Sequence, residues 1–300
     1  MVRVKVPAST SNLGSGFDTF GFALQLYLNV EMDTIPTGLE ISNSGEGSSE
    51  IPRDENNLVF KAAEKLFQTT GNKLTGLKIK TNNEIPLQRG LGSSAAAIIA
   101  GLICASELAG KYLEKDEILS MASDMEGHPD NAAACLYGGL TMSCLDNSKI
   151  LTRKIAIDEN LNCVLMIPND TISTKAARDV LPETVSHRDA VFNLQRSALL
   201  TEAFMSKNYE ILSTAMKDKL HQPFRKHLIP GYDELEKTGY ENGALGVCIS
   251  GSGPTILGFA IHESEGLEKA WQEKTRELNI NARVVTLGCD NTGASIIDAG

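Results

Sequence analysis

Val2, Val4 and Val6 alternate with Arg3 and Lys5, the two-residue period of a half-buried strand, and Leu24, Leu26, Leu28, Val30 and Met32 repeat it. A helical period follows. Leu58, Ala62, Leu66 and Phe67 fall on one face of a predicted helix from Asp54 to Gly71, with acidic residues in its first turn and a glycine to stop it. Leu77, Ile79 and Thr81 predict a third strand, whereas Leu39 to Gly47 reads as exposed turns. An alanine-rich apolar segment then runs as a helix from Ser93 to Gly110, and Ile118, Leu119, Ala122 and Met125 stripe another over 116–125. Near Leu151 the pattern resets. A continuous apolar strand over 161–167 precedes a helix opening at Ser173 and three more helices to about Tyr240. Strands over 244–249 and 256–261, a helix over 264–278 and a strand over 282–287 complete a split βαβ outline with extra helices inserted.

Composition narrows the class. A chain of 300 residues accommodates two domains, divided here as 1–150 and 151–300. The net charge of −10, without any Lys/Arg run, argues against nucleic-acid binding. Six dispersed cysteines without a C-x-x-C pair fit reduced, mostly buried thiols. The amino terminus lacks a signal-peptide core, and the apolar run from Ala95 to Ala105 is too short to span a bilayer. A cytoplasmic protein with no membrane partner is expected.

Four segments carry candidate chemistry. In Pro86-Leu87-Gln88-Arg89-Gly90-Leu91-Gly92-Ser93-Ser94-Ala95-Ala96, two glycines clear a loop of bulk just before a helix start, where unpaired N–H groups and the helix dipole favour an anion such as phosphate. The same residues also suit an ordinary loop with a helix cap. The chain has no Gly-Lys-Ser or Gly-Lys-Thr, so this is no Walker A loop, and Pro86, Gln88 and Arg89 separate the glycines from the strand that a dinucleotide fold requires. Pro7 to Asp18 packs small polar residues behind the first strand, either a solvated turn or a pocket for a polar substrate. Glu126-Gly127-His128-Pro129-Asp130-Asn131 gathers two carboxylates, an imidazole and an amide: a reaction centre, or a turn in which Asp130 or Asn131 caps the next helix. Arg178, Arg225 and the second glycine loop, Ser250 to Thr255, complete the set, the two arginines being by themselves ordinary surface cations.

Together these segments resemble the GHMP small-molecule kinases over almost the whole chain. The phosphate loop looks like Pro86 to Ala96 and the C-terminal glycine motif like Gly251-Ser252-Gly253-Pro254. The first motif lacks the lysine or arginine of the galactose and mevalonate branches and is similar to that of the branch acting on L-homoserine. The resemblance implies an α+β, two-domain GHMP kinase fold: a ribosomal protein S5 domain 2-like N-terminal domain and a ferredoxin-like C-terminal domain with inserted helices. It implies phosphoryl transfer from ATP, with Mg²⁺, to the hydroxyl of L-homoserine, in threonine biosynthesis. Pro86 to Ala96 would wrap the nucleotide phosphates, Asn57 would lie near the base, and Ser94 with Glu126 would hold the metal. Arg178 and Arg225 would clamp the substrate carboxylate and Asp18 its ammonium, with Asn12, His128 and Thr174 lining the site. Asp130 would meet the hydroxyl, beside Asn131 in the same catalytic motif. Family members are often dimers, so a homodimer is compatible with the resemblance. Another alcohol such as mevalonate, or a non-catalytic sensor of the same fold, is the competing reading.

Overall fold

In the computed structural model, which describes residues 1–71, 74–147, 149–261 and 264–299, two sheets share one core. The first is built from β1 (Val2–Ser11), β2 (Phe20–Thr34), β3 (Gly38–Gly45) and β4 (Gly76–Asn83), extended by β5 (Leu140–Asp146) and β6 (Lys149–Ile155) and closed at its other edge by the chain's last strand. Its pairs are antiparallel except β3 with β4. Opposite Pro7, which cannot donate to a ladder, the register slips so that Pro7 faces Tyr27 and Ala8 faces Leu24. That slip takes Leu26 out of the predicted alternation, and it is only half-buried.

Helices α1 (Leu58–Thr70), α2 (Ser93–Leu108), α3 (Lys115–Glu126) and α4 (Asp130–Tyr137) accompany this sheet. α1 starts later than its acidic residues suggest because Asn57 caps it, its carboxamide oxygen accepting from the amides of Val59 and Phe60. α2 is buried on nearly every side, packed between α1, α3 and the first sheet. The segment expected as turns over 39–47 is strand β3 for most of its length. Its serines, asparagine and exposed alternate positions are those of an edge strand, for which hydrophobic alternation is a weak signal.

The second sheet has the order β10-β7-β9-β8, all antiparallel, from β7 (Leu161–Pro168), β8 (Gly246–Ile249), β9 (Ile256–Ile261) and β10 (Ala282–Leu287). That is the ferredoxin-like order. Its crossover between β7 and β8 contains α5 (Thr174–Asp179), α6 (His187–Ser206), α7 (Leu212–Ala215), α8 (Gln222–Arg225) and α9 (Tyr232–Glu241), more pieces than the periodicity suggests; α10 (Ser264–Glu277) joins β9 to β10. β7 is continuously apolar because both faces are covered: Cys163, Leu165 and Ile167 join the core shared with the first sheet, while Val164 and Met166 pack with Leu235 and Trp271.

A boundary at 150/151 cuts the β5–β6 hairpin, and β11 (Ser295–Ala299) returns to pair with β1 of the first sheet. No apolar period announces β11: Ile296 and Ile297 are both exposed. All six cysteines are free thiols, only Cys144 being exposed. Among the described residues, no helix is long and apolar enough to cross a membrane.

Candidate active site

A cavity of about 340 Å³ opens where the two glycine loops meet. Its first wall is the start of α2. Gly92 occupies the cap position at φ 67°, a left-handed conformation, and a β-carbon there would lie 2.0 Å from Ser9 Oγ. No side chain caps the helix, so its first-turn amides face the loop as anion donors. In the alternative reading of an ordinary loop with a helix cap, the cap would thus be a glycine backbone without a capping side chain. Leu87 through Ser94 line the cavity, whereas Ala95 and Ala96 turn into the core and Pro86 is buried outside the lining. Arg89, rather than reaching for a phosphate, donates to the carbonyls of Leu87, Pro168 and Asn169 and so ties the loop to the end of β7.

Across the mouth of this loop Ser94 Oγ donates to Glu126 Oε1. Burial pushes the Glu126 carboxyl up, an effect partly offset by that hydrogen bond. The pair offers two hard oxygen donors to the cavity, which fits Mg²⁺ completing its shell with phosphate and water oxygens.

α4 begins at the next residues. His128 Nδ1–H donates to Asp130 Oδ1 at 2.6 Å, and the same oxygen accepts from the amide of Asn131 at 2.8 Å. Burial alone would raise the carboxyl and lower the imidazole. Their hydrogen bond and opposite charges outweigh it, holding Asp130 below the usual carboxylate range and His128 above the usual imidazole range. Neither Asp130 nor Asn131 caps the helix: Pro129 holds the cap position, and the Asn131 amide is spent on β1, accepting from Ser9 Oγ at 2.9 Å and donating to Ser11 Oγ at 3.0 Å.

The far wall carries the charges. Arg178 grips Asp18 with two parallel bonds of 2.8 and 3.2 Å. Asn12 positions that carboxylate's loop by accepting from the Asp18 amide at 3.0 Å and donating to the Gly251 carbonyl at 2.8 Å. Thr174, at the first turn of α5, lines the same wall. Arg225 is no surface cation: 2% exposed, it donates through Nε to the Ala177 carbonyl at 3.0 Å and through one terminal nitrogen to the Gly251 carbonyl at 3.2 Å. Burial, then the neighbouring Arg178, bring its pKa down to about 10, so it stays charged at neutral pH.

The cavity thus gathers Asn12, Asp18, Asn57, Glu126, His128, Asp130, Asn131, Thr174, Arg178 and Arg225 with the glycine loop. At Asn57 both ends of the carboxamide are engaged, the oxygen in capping α1 and Nδ2 in a bond to the Pro52 carbonyl at 2.8 Å. Sequence reasoning missed the wall beside it, made by Leu28, Ile51, Pro52, Leu58, Thr81 and Asn83. Its residues come from three elements and the loop before α1, each with a packing role of its own, so no local pattern marks them.

Two glycine loops meeting across a polar cleft, over an S5-like and a ferredoxin-like sheet, define the GHMP class of small-molecule kinases. Family models agree: GHMP kinases N terminal domain matches residues 57–139 and GHMP kinases C terminal matches residues 200–276. The homoserine kinase of Caldanaerobacter subterraneus subsp. tengcongensis is 44% identical over 99% of this chain and 96% of its own length, and that of Caldicellulosiruptor saccharolyticus 42% over 99% and 96%. The crystal structure of homoserine kinase from Cytophaga hutchinsonii superposes with a TM-score of 0.88 at 28% identity, covering 99% of this chain and 97% of that one. A mevalonate kinase from L. major shares the fold, at a TM-score of 0.72 and 18% identity over 96% of each chain. The chain belongs to the GHMP kinases, within their homoserine kinase family.

Proposed function

We propose that this enzyme transfers the γ-phosphoryl group of ATP to the side-chain hydroxyl of L-homoserine, giving O-phospho-L-homoserine. The observation that carries the reading is the union, in one cavity, of an uncapped helix start with a guanidinium–carboxylate wall. The triphosphate would lie along Gly90 to Ser94 with its base against the wall of Ile51, Pro52 and Leu58. Mg²⁺, held by Ser94 and Glu126, would neutralise charge on the phosphates. Across the cleft the amino acid would meet Asp18 with its ammonium and Arg178 and Arg225 with its carboxylate. Its hydroxyl would then reach Asp130, which His128 keeps ionised and fixed in direction. Phosphoryl transfer has little covalent chemistry for a protein to perform, so positioning and charge neutralisation carry the rate.

A panel of alcohols incubated with ATP and Mg²⁺, followed by ADP release, tests this. L-Homoserine should support turnover well above mevalonate and above the ATPase background. Faster turnover of mevalonate would overturn the substrate, and no turnover on any alcohol would favour a sensor.

A further inference from the structure

His221 belongs to none of the motifs, yet its side chain is completely enclosed beside the site. It is fully buried, stacks on Phe17 with ring centroids 5.0 Å apart and planes at 18°, and shares its pocket with the equally buried Asp218 carboxylate. Nε2 faces only acceptors: the Gly14 carbonyl at 2.8 Å and, at 3.5 Å, Asp218 Oδ2. It must therefore carry the proton. Nδ1 faces a terminal nitrogen of Arg225 at 3.3 Å, and a guanidinium can only donate. The ring is thus a neutral Nε2–H tautomer whose bare nitrogen accepts from Arg225. A second proton on Nδ1 would set N–H against N–H inside a buried contact.

We infer that His221 is a positioning residue that aims Arg225 at the substrate carboxylate, by holding one guanidinium nitrogen through Nδ1 and anchoring itself to the Gly14 carbonyl through Nε2. Nε and one terminal nitrogen of Arg225 are held by the Ala177 carbonyl, the Gly251 carbonyl and His221. The other terminal nitrogen makes no hydrogen bond among the described residues, and Arg225 lines the cavity. Asp218 sets the imidazole in place from the backbone side, accepting from the amides of Leu220, His221 and Gln222. The charged groups that bear on the ring are Asp218, Arg225 and Asp18. Burial holds the imidazole neutral against the two carboxylates.

The inference rests on the homoserine reading for its substrate arm, and two measurements separate the two. In wild-type protein labelled with ¹⁵N-histidine, two-bond correlation spectra should show His221 as a neutral Nε2–H tautomer across pH about 6 to 8, where an ordinary histidine titrates. An imidazolium or the Nδ1–H tautomer would overturn the inference whatever the substrate. His221→Phe keeps the ring stack but removes the acceptor. It should raise KM for L-homoserine about tenfold or more, the loss expected for a hydrogen bond to a charged group, while KM for ATP stays within about twofold. His221→Gln, whose carbonyl can accept from Arg225, should recover most of that loss. Equal rises in both KM values, or no recovery in His221→Gln, would reduce His221 to a structural residue. Should His221→Phe fail to fold, the tautomer spectrum and His221→Gln still decide; wild-type protein inert on L-homoserine would reject the substrate reading and leave the tautomer result standing.

Discussion

At the scale of single residues, two pairs of opposite charges in the site neutralise each other before any substrate arrives. Asp18 and Arg178 hold each other in a bidentate pair, so a ligand bearing only one charge would part them and leave one unpaired. A zwitterion satisfies both. 3-Amino-1-propanol, which lacks the carboxylate, and 4-hydroxybutyrate, which lacks the ammonium, should each show kcat/KM about 100-fold or more below L-homoserine, the loss expected where charged partners are stranded. Losses under tenfold in competition assays would mean that the pair does not open. His128 and Asp130 are the second such pair, and Asp130→Asn should lower kcat by about 100-fold or more, within the range of general-base catalysis. A loss below tenfold would leave Asp130 as an orienting group and send the proton to phosphate. The same pair sets a pH window. His128, raised, contributes stability that is complete below the ordinary imidazole pKa and fades as pH rises through its folded value. Asp130, lowered, contributes above the ordinary carboxylate pKa and loses its share as pH falls through its own folded value. Thermal melts should therefore show the native protein's advantage over His128→Gln greatest between pH about 4 and 6.5 and shrinking on either side. An advantage that grows towards pH 8 would contradict the charged pair.

At the scale of elements, what the sequence made legible follows the distance over which each signal acts. Glu126 to Asn131 could be read as a site because its donors lie within six consecutive residues and local turn chemistry brings them together. β7, β9, α10 and β10 were legible because burial on one or both faces writes a period or an apolar run into the chain. The burial of Arg225, a residue given a role only through the resemblance, was not, since it depends on Ala177, His221 and Gly251 converging from separate segments. β3 and β11 escaped for the opposite reason: each is an edge strand with much exposed surface, held by its neighbour's backbone more than by its own side chains. Glycine at the start of α2 lies between these cases. The motif identified the loop, and only the three-dimensional contact with Ser9 shows why Gly92 tolerates no β-carbon. Gly92→Ala must relieve a 2.0 Å approach and a left-handed φ together, at a cost of about 1–3 kcal/mol. The displaced loop should raise KM for ATP more than KM for L-homoserine in steady-state assays. An equal rise in both would mean that the helix start and the amino-acid wall move as one piece.

For the whole molecule the question is whether the two sheets are separate domains with a cleft between them or one cooperative body. Phe259 on β9 meets Phe22 on β2 and Phe204 on α6 edge to face, and those two rings lie tilted to each other, with centroids 5.4 to 6.4 Å apart, so the first sheet, the inserted helices and the second sheet share one aromatic seam. Above it the second glycine loop is laced to the first sheet and to the first glycine loop: the Gly251 amide donates to the Ser11 carbonyl of β1 at 3.1 Å, and Ser250 Oγ donates to the Gly90 carbonyl at 2.7 Å. A cleft built this way cannot swing far about a hinge without breaking bonds that line it, which suits a reaction that depends on fixed positions. The single tryptophan, Trp271, reports on the far side of the second sheet, where it packs with Leu235 and Val247, whereas far-UV circular dichroism reports on every helix. Urea transitions followed by both probes should coincide. Phe259→Ala, costing about 3–5 kcal/mol at the seam, should shift the two midpoints equally. If Trp271 fluorescence and circular dichroism instead separate, the far layer unfolds on its own and the seam does not couple the sheets.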